Sequence, residues 1–272
     1  MAKRRGRIKW KNVILTLILL ASTGGLVYSA INFIDWTKDN KDTQDQISHI
    51  EESVSVMEVS TGEAINSEIE APESIYWSYI KMNMINVDLS ELKKQNKDTK
   101  GWIQVNGTNV NYPFVQSKDN SYYLTHSFEK KYTDAGWIFM DYRNDINNLD
   151  KNTIIYGHAR KDKTMFGSLK NILKSDWYKN TDNHIIKLSS ETENTLWQVF
   201  SVYHIATESY YITTDFSSDA EFTTFINTLK SRSALKFDAN VSKDDHILTL
   251  STCYNNTDKV VLHAKLIKRE KR

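Results

Sequence analysis

One cysteine, Cys253, among 272 residues excludes an internal disulfide framework and any paired-cysteine zinc site. Two prolines and nine glycines are too few for a collagen-like or low-complexity chain. No Gly-rich phosphate loop and no H-E-x-x-H pair occurs. The acidic, Asn-rich run DYRNDINNLDKN lacks EF-hand spacing and its central glycine. No metal and no cofactor are therefore expected. A net charge of +1 provides no global field for nucleic acid, so none is expected as a partner.

What is present is bulk. Fourteen Tyr, ten Phe and seven Trp supply a core that packing alone must hold together. The length suits one sizeable domain with accessories. Charge is uneven at the N-terminus. MAKRRGRIKWK (1–11) carries six basic residues and no acid. The uncharged run 12–34 follows, and its 23 residues at about 1.5 Å each cross a hydrocarbon core of about 30 Å. Basic flanks stay cytoplasmic, which predicts the N-terminus inside and the remainder outside. A cleaved signal peptide is the rival reading; the run is long for one and has no clean A-x-A site.

Residues 35–74 read as a polar linker or stalk, although Ile47, Ile50, Val54 and Met57 fall at helical spacing. The domain expected over 75–272 opens with a helix at 75–95. Eight short β-prone runs follow, at 102–105, 112–115, 136–142, 152–159, 184–189, 195–205, 246–253 and 259–268. Helices are expected at 164–173 and 218–233, the second with Ser218 as N-cap. Eight strands with few helices predict a mainly β fold, a closed barrel rather than a doubly wound sheet.

A lone thiol is a small hydrophobe or a reactive group, according to what lies near it. His158 ends the run TIIYGHAR after Gly157, where a strand opens into a loop and a side chain can face a cleft. His263 lies inside VVLHAKL and points inward or outward by strand alternation. After Cys253 the first cation is Lys259, returned beside the thiol if the flanking strands pair across YNNTD; a solvated strand-start lysine is the plainer alternative.

TLSTC followed by VVLHAKL, with NTIIYGHARKDKTMFGSLKN, DNSYYLTHSF and GWIFMDYRN ahead of it, resembles the class B sortases over about residues 75–268. The resemblance implies an eight-stranded β-barrel with added helices. It implies a membrane-anchored cysteine transpeptidase of a Gram-positive surface, which cuts a C-terminal sorting motif of secreted proteins. Cys253 would form a thioester, and the acyl group would pass to an amine of peptidoglycan or its precursor. His158 would be the general acid and base. Lys259 occupies the position of the family's catalytic arginine and lacks its two-donor fork; Arg143 and Arg160 match no catalytic position. Asn120, Leu124, Thr207, Tyr211, Ile212 and Ser251 match positions of the substrate groove, with core packing the plainer role for Leu124 and Ile212. A pilin-polymerising enzyme, or a degenerate hydrolytic or binding relative suggested by Lys259, are the alternatives.

Acid–base arithmetic adds an expectation. With reference pKa values of about 8.5 for Cys and 6.5 for His, thiolate and imidazolium coexist in on the order of 1 % of molecules near neutral pH. Turnover is expected to be slow, with a bell-shaped dependence of rate on pH; a flat profile from pH 5 to 10 contradicts this pairing.

Overall fold

The computed structural model describes residues 9–60, 75–206, 208–253 and 258–272, with Cys253 described by its backbone. Thr207, loop residues 254–257 and parts of the expected tail and linker lie outside them. Two compact units result, Met1–Asp42 and Thr43–Arg272.

Helix α1 (Trp10–Ser53) contains the apolar run and continues well past it. It is long and apolar enough to cross a membrane, and the apolar side chains of that run are exposed. The linker expected from residue 35 is thus helical as far as Ser53. Its last turns belong to the second unit because Ile47, Ile50 and Val54 form a stripe packed on the main core, while Met57 stays exposed. Strand β1 (Val56–Val59) then pairs antiparallel with a strand further on.

The helix expected over 75–95 is broken into α2 (Ile75–Ile80), strand β2 (Met84–Val87), the partner of β1, and α3 (Ser90–Gln95). The cause is local. Asp88 accepts the Ser90 amide at 2.9 Å and turns the chain, and Met84, Ile85 and Val87 bury as a strand.

Eight further strands form the expected closed barrel. They are β3 (Thr99–Val105), β4 (Asn111–Val115), β5 (Phe139–Met140), β6 (Asn152–Gly157), β7 (Ile185–Ser190), β8 (Glu193–Ala206), β9 (Ile247–Cys253) and β10 (Asp258–Lys271). Around the barrel the order is β10-β8-β7-β3-β4-β5-β6-β9. Two expectations shrink: 136–142 retains only two paired residues, and the helix at 164–173 is a 3₁₀ turn over Gly167–Leu173. Between β7 and the preceding turn lies the short helix α4 (Ser175–Lys179); α5 (Asp219–Arg232) lies between β8 and β9. The N-cap is as expected, with Ser218 Oγ accepting the Glu221 amide at 3.2 Å.

Strand alternation divides the apolar residues. Leu248, Leu250, Val260, Leu262 and Ala264 join the main core with Trp102 and Trp197. Ile247, Val261, Phe200 and Tyr203 form a second cluster with Phe222, Phe225, Ile226 and Leu229 of α5. A helix cannot lie inside so small a barrel, so the second set marks the outer face of β8, β9 and β10.

Candidate active site

Two registers build the site. Strands β6 and β9 run parallel, paired from Asn152 with Ile247 to Gly157 with Thr252, at a constant offset of 95 residues. β6 ends at this last pair, and His158 is the next residue after it as Cys253 is after Thr252. Strands β9 and β10 run antiparallel, and the Cα partner of Cys253 is Lys259. Cys253 and Lys259 therefore share a rung, and continuing the β6 register by one residue brings His158 to the same end of three adjacent strands. The rungs beneath on the same face are 156–251–261, 154–249–263 and 152–247–265.

A cleft of about 410 Å³ opens at this end. Its walls include six of the residues expected at the site: Leu124, His158, Tyr211, Ile212, Ser251 and Lys259. Lys259 is the one lysine or arginine among the described residues that line it. Sequence reasoning missed Tyr156, Gly157, Glu208 and Ser209, which also line it. Glu208 sits within the run TESYYI and is salt-bridged to Arg232 at 3.1 Å, so proximity to Tyr211 was the only signal for it.

The His158 ring is held by a hydrogen bond to the chain opposite. Its Nε2 lies 2.8 Å from the Leu124 carbonyl. A carbonyl only accepts, so Nε2 carries a hydrogen, and Nδ1 is the nitrogen whose proton can come and go while this bond persists. Two glycines make the approach possible. At Gly157 a Cβ would stand 2.7 Å from the Phe166 ring. Gly136 has φ +57°, and a Cβ there would meet the Tyr123 carbonyl at 2.5 Å and His158 Cδ2 at 2.9 Å.

Ser251 and Tyr211 bond to each other, hydroxyl to hydroxyl at 3.0 Å. Asn120 is not a lining residue. Its amide donates to the Asp141 carboxylate at 2.9 Å, and its oxygen accepts the Tyr142 amide at 3.0 Å. Asp141 is fully buried. It also accepts from the Tyr156 hydroxyl at 2.9 Å and from Arg143 through Nε and Nη2 at 2.8 and 2.7 Å. Arg143 Nη2 further donates to the Ile212 carbonyl at 2.9 Å. The two spare arginines are thus engaged elsewhere: Arg143 in this cluster, and Arg160 beside Asp162 at 3.6 Å.

Burial pushes the Asp141 carboxyl upward, but the hydrogen bonds from Arg143, Tyr156 and Asn120 outweigh it and hold the group below its ordinary 3.8. Burial, then the neighbouring Asp141 charge, pushes the Tyr156 hydroxyl well up. Because the folded Asp141 value is depressed, its stabilisation is present above pH 3.8 and is lost as pH falls through the lower folded value. Arg143→Ala strands this carboxylate and is expected to cost about 3–5 kcal/mol in urea unfolding at pH 7. The deficit should shrink as the pH falls toward and below 3.8, where the carboxyl protonates. An equal deficit at both ends of that range contradicts the assignment.

The family model described as Sortase domain matches residues 103–267. Sortase B of Staphylococcus aureus is 42% identical over 188 residues, covering 68% of this chain and 76% of the relative. A crystal structure of sortase B from B. anthracis in complex with AAEK2 superposes with a TM-score of 0.63 at 43% identity, covering 67% of this chain and 83% of that one. A Staphylococcus aureus sortase B–substrate complex gives 0.62 at 42%, covering 66% and 84%. With a closed eight-stranded barrel carrying these motifs and relatives at this identity over two thirds of its length, the chain belongs to the sortases, cysteine transpeptidases, and within them to class B.

Proposed function

We propose that this sortase is anchored by residues 12–34, with 1–11 cytoplasmic and the catalytic domain outside the cell. There it joins a secreted protein bearing a C-terminal sorting motif to an amine of peptidoglycan or its precursor. The placement rests on the long apolar helix within α1 and the basic residues ahead of it. That the enzyme binds a substrate is carried over from the S. aureus sortase B–substrate complex, and that the substrate is a sorting-motif peptide is what the motifs TIIYGH and TLSTC imply.

Each proposed role follows from the chemistry of the shared rung. The Cys253 thiolate attacks the scissile carbonyl carbon, and the carbonyl electrons move onto oxygen. His158 gives its Nδ1 proton to the leaving nitrogen as the C–N bond breaks and the thioester forms. The acceptor amine then attacks the thioester carbon. His158 takes its proton, the C–S bond breaks, and a new amide leaves the thiolate restored. Lys259, one strand away from Cys253, supplies a positive charge and one hydrogen bond at a time to the oxyanion. The observation that carries the reading is the pairing of Cys253 with Lys259 on one side and the β6 register leading to His158 on the other.

The test is mass spectrometry of the soluble domain with a panel of sorting peptides, with and without an added amine. Cys253→Ala and His158→Ala should form no product. Lys259→Ala should slow transfer by about 10²–10³-fold, the usual effect of losing one oxyanion donor. Product from Cys253→Ala overturns the mechanism. A wild-type rate in Lys259→Ala removes that residue from it, and hydrolysis unaffected by the amine removes the transfer step.

A further inference from the structure

Two rungs below Cys253, on the same outer face, His263 pairs across the strands with Thr249. Its side chain is fully buried among β8, β9, β10 and the 3₁₀ turn Tyr210–Ile212, and no step proposed above uses it. Every hydrogen around this ring can be placed by elimination. The Asn152 amide nitrogen donates to the carbonyls of Tyr211 and Thr213 at 3.1 and 2.9 Å, so its Oδ1 is the atom facing Thr249 and only accepts. Thr249 Oγ1 donates to that oxygen at 2.6 Å, which uses its one hydrogen. It therefore accepts from His263 Nδ1 at 2.9 Å. In the neutral ring Nε2 then accepts from the Tyr203 hydroxyl at 2.8 Å, and Tyr203 accepts from the Tyr210 hydroxyl at 2.8 Å. Burial keeps the ring neutral, pushing its pKa down to about 3.

This chain of bonds leaves the cleft wall at the Tyr210 side chain and returns to it at the Tyr211 and Thr213 carbonyls. Tyr211 and Ile212 are lining residues of the cleft. We propose that His263, with Thr249 and Asn152, is a positioning residue that clamps the 210–213 wall to the sheet and thereby sets the affinity for the peptide substrate. The effect on affinity rests on the transpeptidase reading; the clamp itself does not.

The experiment compares Thr249→Val, which removes the central hydroxyl at nearly constant volume, with Thr249→Ser, which restores it. Tyr210→Phe, a change at a partly exposed residue that removes the outermost donor and the hydroxyl's bond with Arg232, serves if the valine variant does not fold. Amide hydrogen exchange over 208–214 is read first because it needs no substrate. Exchange is expected to quicken about 10-fold or more in Thr249→Val, several-fold in Tyr210→Phe, and to stay near wild type in Thr249→Ser. KM for the sorting peptide should rise about 10-fold in Thr249→Val with kcat changed by less than about threefold. Unchanged exchange in Thr249→Val, or in Tyr210→Phe where that variant stands in, overturns the clamp. So does a serine variant as impaired as the valine one. Faster exchange with KM unchanged overturns the effect on affinity. A wild-type protein that turns over no sorting peptide sinks the transpeptidase reading, while the exchange comparison still decides the clamp.

Discussion

Strand register is the constraint on which the rest depends. Cys253 is 95 residues from His158 and six from Lys259, and only the pairing of β6 and β10 with β9 brings these positions together. Side chains alternate every residue along a strand, so a slip of one position in either pair would turn a residue of this rung to the other face. The apolar pattern resists such a slip. It would exchange Leu248, Leu250, Val260 and Leu262, which fill the barrel, for Thr249, Ser251 and His263, whose polar groups have partners only on the outer face. Core packing and site assembly thus have a common cause.

The outer face beneath the rung sets buried polar groups, Asn152, Thr249, Ser251 and His263, among apolar ones, an arrangement stable only when the polar groups are bonded. Three successive carbonyls of the cleft wall, those of Tyr211, Ile212 and Thr213, are held by side chains from elsewhere in the domain: Asn152 holds the first and third, Arg143 the second. Asn152 is anchored through Thr249, and Arg143 through Asp141. Asp141 in turn fixes Asn120 and Tyr156. A short segment with little secondary structure of its own is therefore gripped at each residue, which fits the wall of a peptide groove under the proposed function.

Much of this was legible in the sequence, for identifiable reasons. The eight barrel strands were bounded by turn residues and rich in β-branched and aromatic side chains, so pattern located them. The break at Met84–Val87 was not legible, because three apolar residues suit a helix or a strand equally; the deciding factor is β1, a partner drawn from a segment that reads as linker. The continuation of α1 was hidden in the same way, since Ile50 is buried by distant residues rather than by its neighbours in sequence. At the site, six of the residues named from motifs line the cleft. Asp141 and Arg143, in the quoted GWIFMDYRN, passed without a role because a carboxylate and a guanidinium two residues apart read as surface charge until Asn120, Tyr156 and Ile212 converge on them. Asn120, expected in the substrate groove, does not line the cleft; its amide faces Asp141.

The lone cysteine permits a direct measurement of the register. In His158→Cys the only two thiols of the chain would each sit one residue beyond the last β6–β9 pair, Gly157 with Thr252, and a disulfide forms only if their Cα atoms lie about 4.4–6.8 Å apart. Mild oxidation of the dilute protein should give a monomer with both thiols lost to titration and two hydrogens lost by mass. Two thiols that remain titratable, or that form only disulfide-linked dimers, would contradict the shared rung.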